Sequence, residues 1–272
     1  MSSRAYALLD RARQGVDRDG RLARVLEPLV RWTFFERGLL RPTVAQVRAG
    51  GLEVRDGPFA GMTYPAGAAI HVPGLAWRLA GTYEAELHPA VERLIGLDPD
   101  AIVNVGAADG FYAVGMAIRC PAASTIAFER DPYYARLCTA LARRNGVEGR
   151  LELRGECTAN ALRATTPGER TVVVCDCEGA ERELIDPAAI EWQAAAAMLI
   201  EVHESFDPGL TEELRGRLAA THDVEVIEPG QRYLEDHPEI WGLPGLSLVQ
   251  RESLVHELRP WRTPWLLALP SS

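Results

Sequence analysis

The sequence predicts a doubly wound α/β fold: a mostly parallel, seven-stranded sheet with helices on both faces, preceded by an N-terminal extension of helices and short strands. Three observations lead there. From residue 101 onward, near-continuous apolar runs alternate with amphipathic stretches of helical length, the pattern of parallel strands covered on both sides. The first run ends in a glycine turn that opens a helix. The second ends in an acid, Glu129, roughly twenty residues later, where open α/β sheets hold a ribose.

Taken in order, residues 3–40 read as two helices interrupted near 15–20. The second carries an apolar stripe from Leu22 to Phe35 that is wider than a lone surface helix needs. It packs on the main domain or, as the other use of such a face, on a second copy in a homodimer or on a membrane surface. Gly51–Tyr64 reads as short strands around Asp56-Gly57-Pro58. Thr82–Gly96 reads as a helix capped by Thr82, with Leu87, Val91, Leu94 and Ile95 inward. Strands follow at Ala101–Val105, Ser124–Phe128, Arg150–Leu153, Thr171–Cys175, Ala197–Val202, Val224–Ile227 and Leu246–Val249. Helices lie between them at Gly110–Ile118, from Asp131 to Arg144, and at Glu212–Ala220. Asp131 caps the middle one, Pro132 sits in its first turn and Asn145-Gly146 stops it. Residues 1–80 form the extension and 81–272 the main domain.

Composition narrows the function. The net charge is −9, against a phosphate-gripping nucleic-acid surface. The chain contains no lysine, which removes Schiff-base, Ser–Lys and P-loop chemistry. Five cysteines without a CxxC pair argue for core thiols in a reducing compartment rather than disulfides or a zinc ribbon. No signal-peptide apolar region follows the first arginine, and no apolar run reaches the ~18 residues that span a bilayer. A cytoplasmic protein is expected.

The turn Asn104-Val105-Gly106-Ala107-Ala108-Asp109-Gly110, together with Glu129, points to a nucleoside cofactor. Small residues let a ligand approach the backbone. A dinucleotide turn wants glycine where Ala108 stands, and Asp109 would repel a pyrophosphate. A phosphate-free, cationic cofactor fits, and S-adenosylmethionine is one. A nicotinamide oxidoreductase is disfavoured on the same grounds.

The segments IVNVGAADGFYAVGMA at 102–117, AFERD at 127–131 and CDCEGAERELID at 175–186 resemble the FkbM-like branch of class I S-adenosylmethionine-dependent methyltransferases. The resemblance covers about residues 80–265 and extends to GTYEAEL at 81–87, IEVHE at 200–204 and ELRPWRTPW at 257–265. Asp176-Cys177-Glu178-Gly179-Ala180-Glu181 matches that family's Asp-x-Glu-Gly-x-Glu signature, whereas Asn104 stands where the family carries aspartate. Asp109 is the nearby acid that could restore the missing charge. The resemblance implies that Gly106, Ala107, Ala108 and Gly110 line the methionine part and Glu129 holds the ribose. Arg130 and Asp131 then lie at the adenine edge, Glu156 and Cys157 meet the adenine amino group, and Tyr83 and Glu84 close over the methionine tail. It also implies a small-molecule or glycan acceptor, methylated on a hydroxyl.

An alcohol acceptor must lose a proton, which needs a base or a metal. The candidates are Asp176 and Glu178 after the fourth strand, and Glu201, His203 and Glu204 after the fifth. Glu201 and His203 share a strand face. Either His203 is the base, held by a carboxylate, or Asp176, Glu201 and His203 bind a divalent ion. Such ligands suit Mg²⁺ or Mn²⁺, by analogy with related O-methyltransferases. Glu178 and Glu181 read as caps of the following helix. The other histidines, at 71, 88, 222, 237 and 256, read as structural. The tail to Trp265, with Arg232 and Tyr233, could wall an acceptor pocket. An N-methyltransferase and a catalytically silent cofactor-binding protein are the competing functions.

Overall fold

The computed structural model describes residues 45–271 except 46, 48, 49, 67, 69–71, 73, 206, 231 and 256–262. The helices expected between residues 3 and 40, with their dimer face, lie outside the described residues, as do His71, His256 and 257–261 of the tail. The chain divides into two compact units. One includes Ala66–Thr82 and Arg232–Leu258; the other comprises Glu53–Pro65, Tyr83–Gln231 and Arg259–Ser272. Among the described residues no helix is long and apolar enough to cross a membrane.

The second unit holds one seven-stranded sheet. Its strands are β1 (Ala101–Val105), β2 (Ser124–Phe128), β3 (Leu151–Arg154), β4 (Thr171–Cys175), β5 (Ala197–Glu201), β6 (His222–Ile227) and β7 (Trp265–Pro270). Their order is β3-β2-β1-β4-β5-β7-β6. The first five are parallel, and β7 runs antiparallel between β5 and β6. The sequence expected the last strand at Leu246–Val249. That stretch instead enters a helix, with Leu248 and Val249 more than half exposed. Trp265–Leu267 is the run that is buried, because it fills the gap between β5 and β6. β1, β4 and β5 are buried along their whole length, as expected of central strands covered on both faces. The chain leaves β1 toward β2 on one side and β4 on the other, so the strand order reverses at β1. Crevices form at that point, beyond the carboxyl ends of the strands.

In chain order the helices of this unit begin with α1 (His88–Gly96), α2 (Phe111–Arg119) and α3 (Pro132–Arg144), and continue with α4 (Ala159–Arg163), α5 (Glu181–Leu184) and α6 (Leu210–Leu218). Asp131 caps α3 by accepting from the Tyr133 N–H at 2.7 Å, with Pro132 in the first turn. The last carbonyls around α2 are taken by Arg150, which donates to Ala117, Cys120 and Ala123. Gly51–Tyr64 forms a single bridge, Glu53 to Thr63, rather than strands. Side chains tie this segment down instead. Asn145 exchanges two hydrogen bonds with the Thr63 backbone, both 2.9 Å, and Phe59 lies over Gly115 of α2.

The first unit contains helices Leu75–Ala80, Pro238–Trp241 and Leu248–Val255. Its links are side chain to backbone: Trp77 Nε1 donates to Ser253 O at 2.6 Å and Arg232 donates to Thr82 O at 2.9 Å. Thr82 was expected to cap a helix. Its hydroxyl donates to Leu254 O at 2.5 Å instead, and α1 starts only at His88.

Gly115 supplies a stability test. Alanine there would gain about 1 kcal/mol of helix propensity, but its Cβ would lie 2.4 Å from the Phe59 ring. Overpacking of that kind costs about 1–3 kcal/mol. Gly115→Ala should therefore lower urea-measured stability, whereas the same change in a Phe59→Ala background should raise it.

Candidate active site

β1 ends at Asn104 and Val105 in the middle of the sheet. Asn104 is buried. Its Nδ2 donates to Val174 O at 3.0 Å, and its Oδ1 has no hydrogen-bond partner among the described residues. Gly106 follows with φ 78°, and a Cβ on it would sit 1.6 Å from the Asp176 carbonyl oxygen. The Asp176 N–H donates to Val105 O at 2.9 Å. Glycine at 106 is thus required by the exit of β4, which lies directly on the turn. This is a different reason from the ligand approach expected of small residues here.

The Gly106 and Ala107 N–H groups both donate to Phe128 O, at 3.0 and 2.8 Å. Ala108 is left-handed, φ 46°, a conformation that costs a residue with a Cβ about 1–2 kcal/mol. Its N–H donates to Glu129 Oε2 at 2.8 Å, while Asp131 N–H donates to Oε1 at 2.7 Å. Two backbone donors therefore pin the Glu129 carboxylate at the β2 exit, and each oxygen keeps lone-pair capacity for a further donor. Asp109 is buried and accepts from the Tyr64 hydroxyl at 3.1 Å, so its charge is engaged by the 53–65 segment. Gly110 has φ 98° and abuts Cys138. Arg130, Asp131 and Glu156 are exposed and Cys157 is half-buried. Burial, aided by Cys177, pushes the Cys157 thiol up to about 12, which leaves it protonated.

A second group of side chains gathers at the exits of β4 and β5. His203 is buried. Its Nδ1 lies 2.6 Å from Glu181 Oε1, and its Nε2 lies 3.3 Å from Glu178 Oε2, 3.7 Å from Asp176 Oδ1 and 3.7 Å from Glu201 Oε2. Glu181, in the first turn of α5, is fully buried and also accepts the Gly179 N–H at 3.1 Å. No side chain caps α5; the Glu181 carboxylate instead braces the loop ahead of the helix and, unexpectedly, orients His203. Glu84 is buried in a left-handed conformation, φ 49°, and accepts from the Tyr112 hydroxyl. Tyr83 packs its ring edge-on against Phe111, 5.1 Å between centroids. Trp265 pairs across the sheet with Glu201, which puts both side chains on one face. Its indole N–H is buried with no partner among the described residues.

The electrostatics follow from the crowding. Burial pushes the Asp176 carboxyl well up, and Glu201, with which it shares a hydrogen bond, pushes it further. Burial alone would push the His203 imidazole down, but its hydrogen bond to Glu181 and the charges of Glu201, Glu181 and Glu178 outweigh burial and hold it up. Burial raises the Glu181 carboxyl, and His203 pulls it back below the ordinary range.

The structure thus brings together Asp176, Glu201 and His203 as anticipated in sequence, and adds Glu178, Glu181 and Glu84. Tyr64, Tyr112 and Trp265 line the neighbouring contacts. His88 and His222 each hydrogen-bond a backbone carbonyl, of Tyr83 and Ala196 respectively.

No protein-family model matches the sequence, and no curated protein matches it. Among solved structures, the METTL16 MTase domain aligns with a TM-score of 0.52 at 14% identity, over 84% of this chain and 79% of that one. The chain shares its seven-stranded, Rossmann-like fold with that domain. Lower-scoring likenesses include cofactor-bound Rv0187 from MTB, with a TM-score of 0.46 at 14% identity over 90% of this chain and 95% of that one. Another is the O-methyltransferase from Bacillus cereus in complex with SAH, at 0.45 and 11% identity over 66% and 78%.

Gly106→Ala should be among the most damaging small substitutions in the chain. It combines a Cβ–carbonyl collision with a left-handed backbone, so a stability loss of about 3 kcal/mol or more is expected in chemical denaturation. Gly216→Ala, in α6 with open space around the site, should cost nothing.

Proposed function

We propose that this protein is an S-adenosylmethionine-dependent methyltransferase of the FkbM-like kind, acting on a hydroxyl of a small molecule or glycan. One observation carries the reading: the Asp176 carbonyl packs directly on Gly106, so the acid and histidine cluster begins where the glycine turn ends. A cofactor seated on the turn therefore has its reactive end beside the only buried imidazole–carboxylate group found at these strand exits among the described residues.

The residues fit such a cofactor. Glu129, fixed by two N–H donors, is placed to accept from a ribose diol. The orphaned Asn104 Oδ1 can accept from the methionine ammonium without the charge an aspartate would bring. Ala107, Ala108 and Gly110 border the methionine portion, with Tyr83, Glu84 and Asp109 beside it. Arg130, Asp131, Glu156 and Cys157 lie toward the adenine. The cofactor supplies an activated methyl group, so the chain need only orient the acceptor and receive its proton. The His203 corner receives that proton, and Glu181 fixes the ring so that Nε2 faces the acceptor side.

Calorimetry with S-adenosylhomocysteine should show one site per chain, weakened tenfold or more by Glu129→Ala. His203→Ala should keep that affinity within about threefold but lose about 10²-fold or more in turnover on a hydroxylated acceptor panel. NAD binding in place of S-adenosylhomocysteine would refute the reading.

A further inference from the structure

We propose that the outer face of α3 is a docking groove for an acidic helix of a partner protein. The chain carries 38 acids against 29 arginines and no lysine, so guanidinium groups are the scarcer partner. The described arginines are accordingly engaged almost throughout, by carboxylates, by carbonyls or by other contacts. Arg130, Arg136, Arg143 and Arg144 are the exceptions. They make no hydrogen bond or ion pair among the described residues, and all four are exposed within residues 130–144. α3 itself has three arginines and no acid. Arg143 and Arg144 suit the last turn of a helix. Arg136 stands outside that turn and gains nothing from it.

The geometry shows what these cations can hold. Arg136, Thr139, Ala140 and Arg143 follow at i, i+3, i+4 and i+7, one stripe of a helix. Cys138, Leu141 and Ala142, on the other side, are buried. With Ala135 and Leu153 of β3, the outward stripe lines an open groove of about 460 Å³. Its floor is short and largely apolar, because Thr139 spends its hydroxyl on Ala135 O at 2.9 Å. The two arginine positions are about 10.5 Å apart along the helix axis. A low floor with a cation at each end fits a second helix at the roughly 8–10 Å separation of helix pairs. Carboxylates repeating at i and i+7 of that helix match the arginines because both follow the same period. The guanidinium fork is the group best shaped for a carboxylate.

Other occupants fit less well. A nucleic-acid strand carries one charge about every 3.4 Å and draws affinity from aromatic stacking platforms. The groove has no aromatic ring in its lining, and the net charge of −9 opposes so dense an anion. A second copy offers helix α6, but its acids Glu212 and Glu213 are already held by Arg215 and Arg217. A separate acidic protein remains. Two charge pairs and a small apolar contact hold it weakly and in a salt-dependent way.

The test uses the full chain and a fluorescein-labelled, side-chain-stapled helical peptide, read by fluorescence anisotropy. The peptide carries two glutamates seven residues apart, with alanine and leucine between them. Micromolar binding in low salt is expected, weakened about tenfold or more by Arg136→Glu, by Arg143→Glu and by about 0.5 M NaCl. A peptide with arginine in place of both glutamates should fail on the natural chain and bind the Arg136→Glu/Arg143→Glu double variant. Both arginines are exposed, and unchanged thermal melting of the variants shows that only the surface was altered. A single-stranded oligouridylate and an acidic polysaccharide of matched charge are titrated alongside. No peptide binding below millimolar concentration, binding unmoved by Arg136→Glu, or tighter binding of either polymer than of the peptide overturns the proposal.

Discussion

The contact between Gly106 and the Asp176 carbonyl governs the rest of the site. β1 and β4 are hydrogen-bonded neighbours, and their parallel register delivers both chain exits to the same edge of the sheet. There the two backbones must share a space that admits no Cβ. The β1 exit is fixed from the other side by Phe128 O, which accepts two N–H groups from the turn. A three-strand clamp therefore sets where the turn, Glu129 and Asp176 stand relative to one another before any side-chain chemistry begins. Fold and site are one constraint here, because loosening the clamp would move Glu129 and the acid cluster apart.

Inside that clamp the chain concentrates acid at a considerable cost. Taking carboxylates out of water is expensive unless each finds a proton, a donor or a cation. The structure shows three different solutions around this cluster. Glu181 has His203 and the Gly179 N–H. Glu84 has the Tyr112 hydroxyl. Asp176 is pushed toward its neutral form and shares a hydrogen bond with Glu201. Perturbed groups gathered at a crevice mark sites of chemistry more often than sites of stability. None of the five cysteines forms a disulfide.

Much of this was legible in the sequence, for identifiable reasons. The central strands are buried on both faces and so read as unbroken apolar runs. Glu129 was recognisable because its distance from the glycine turn is set by one helix and one strand. Asp176, Glu201 and His203 followed from being the polar residues at strand ends. What stayed hidden depended on contacts between distant segments. Tyr64 meets Asp109 and Phe59 covers Gly115 without any periodic signal. Glu181 reads as a helix cap because it is an acid in the first turn of α5, and nothing local reveals that it holds His203. The last strand was misplaced because Leu246–Val249 and Trp265–Leu267 are both short and apolar. Only the antiparallel gap between β5 and β6 selects the second.

The most direct measurement is a crystal structure of the chain with S-adenosylhomocysteine. The expected result is density along the turn from Gly106 to Gly110, with the ribose hydroxyls on Glu129 and the sulfur directed toward His203. A ligand bound elsewhere, or one whose sulfur faces away from the exits of β4 and β5, would contradict it.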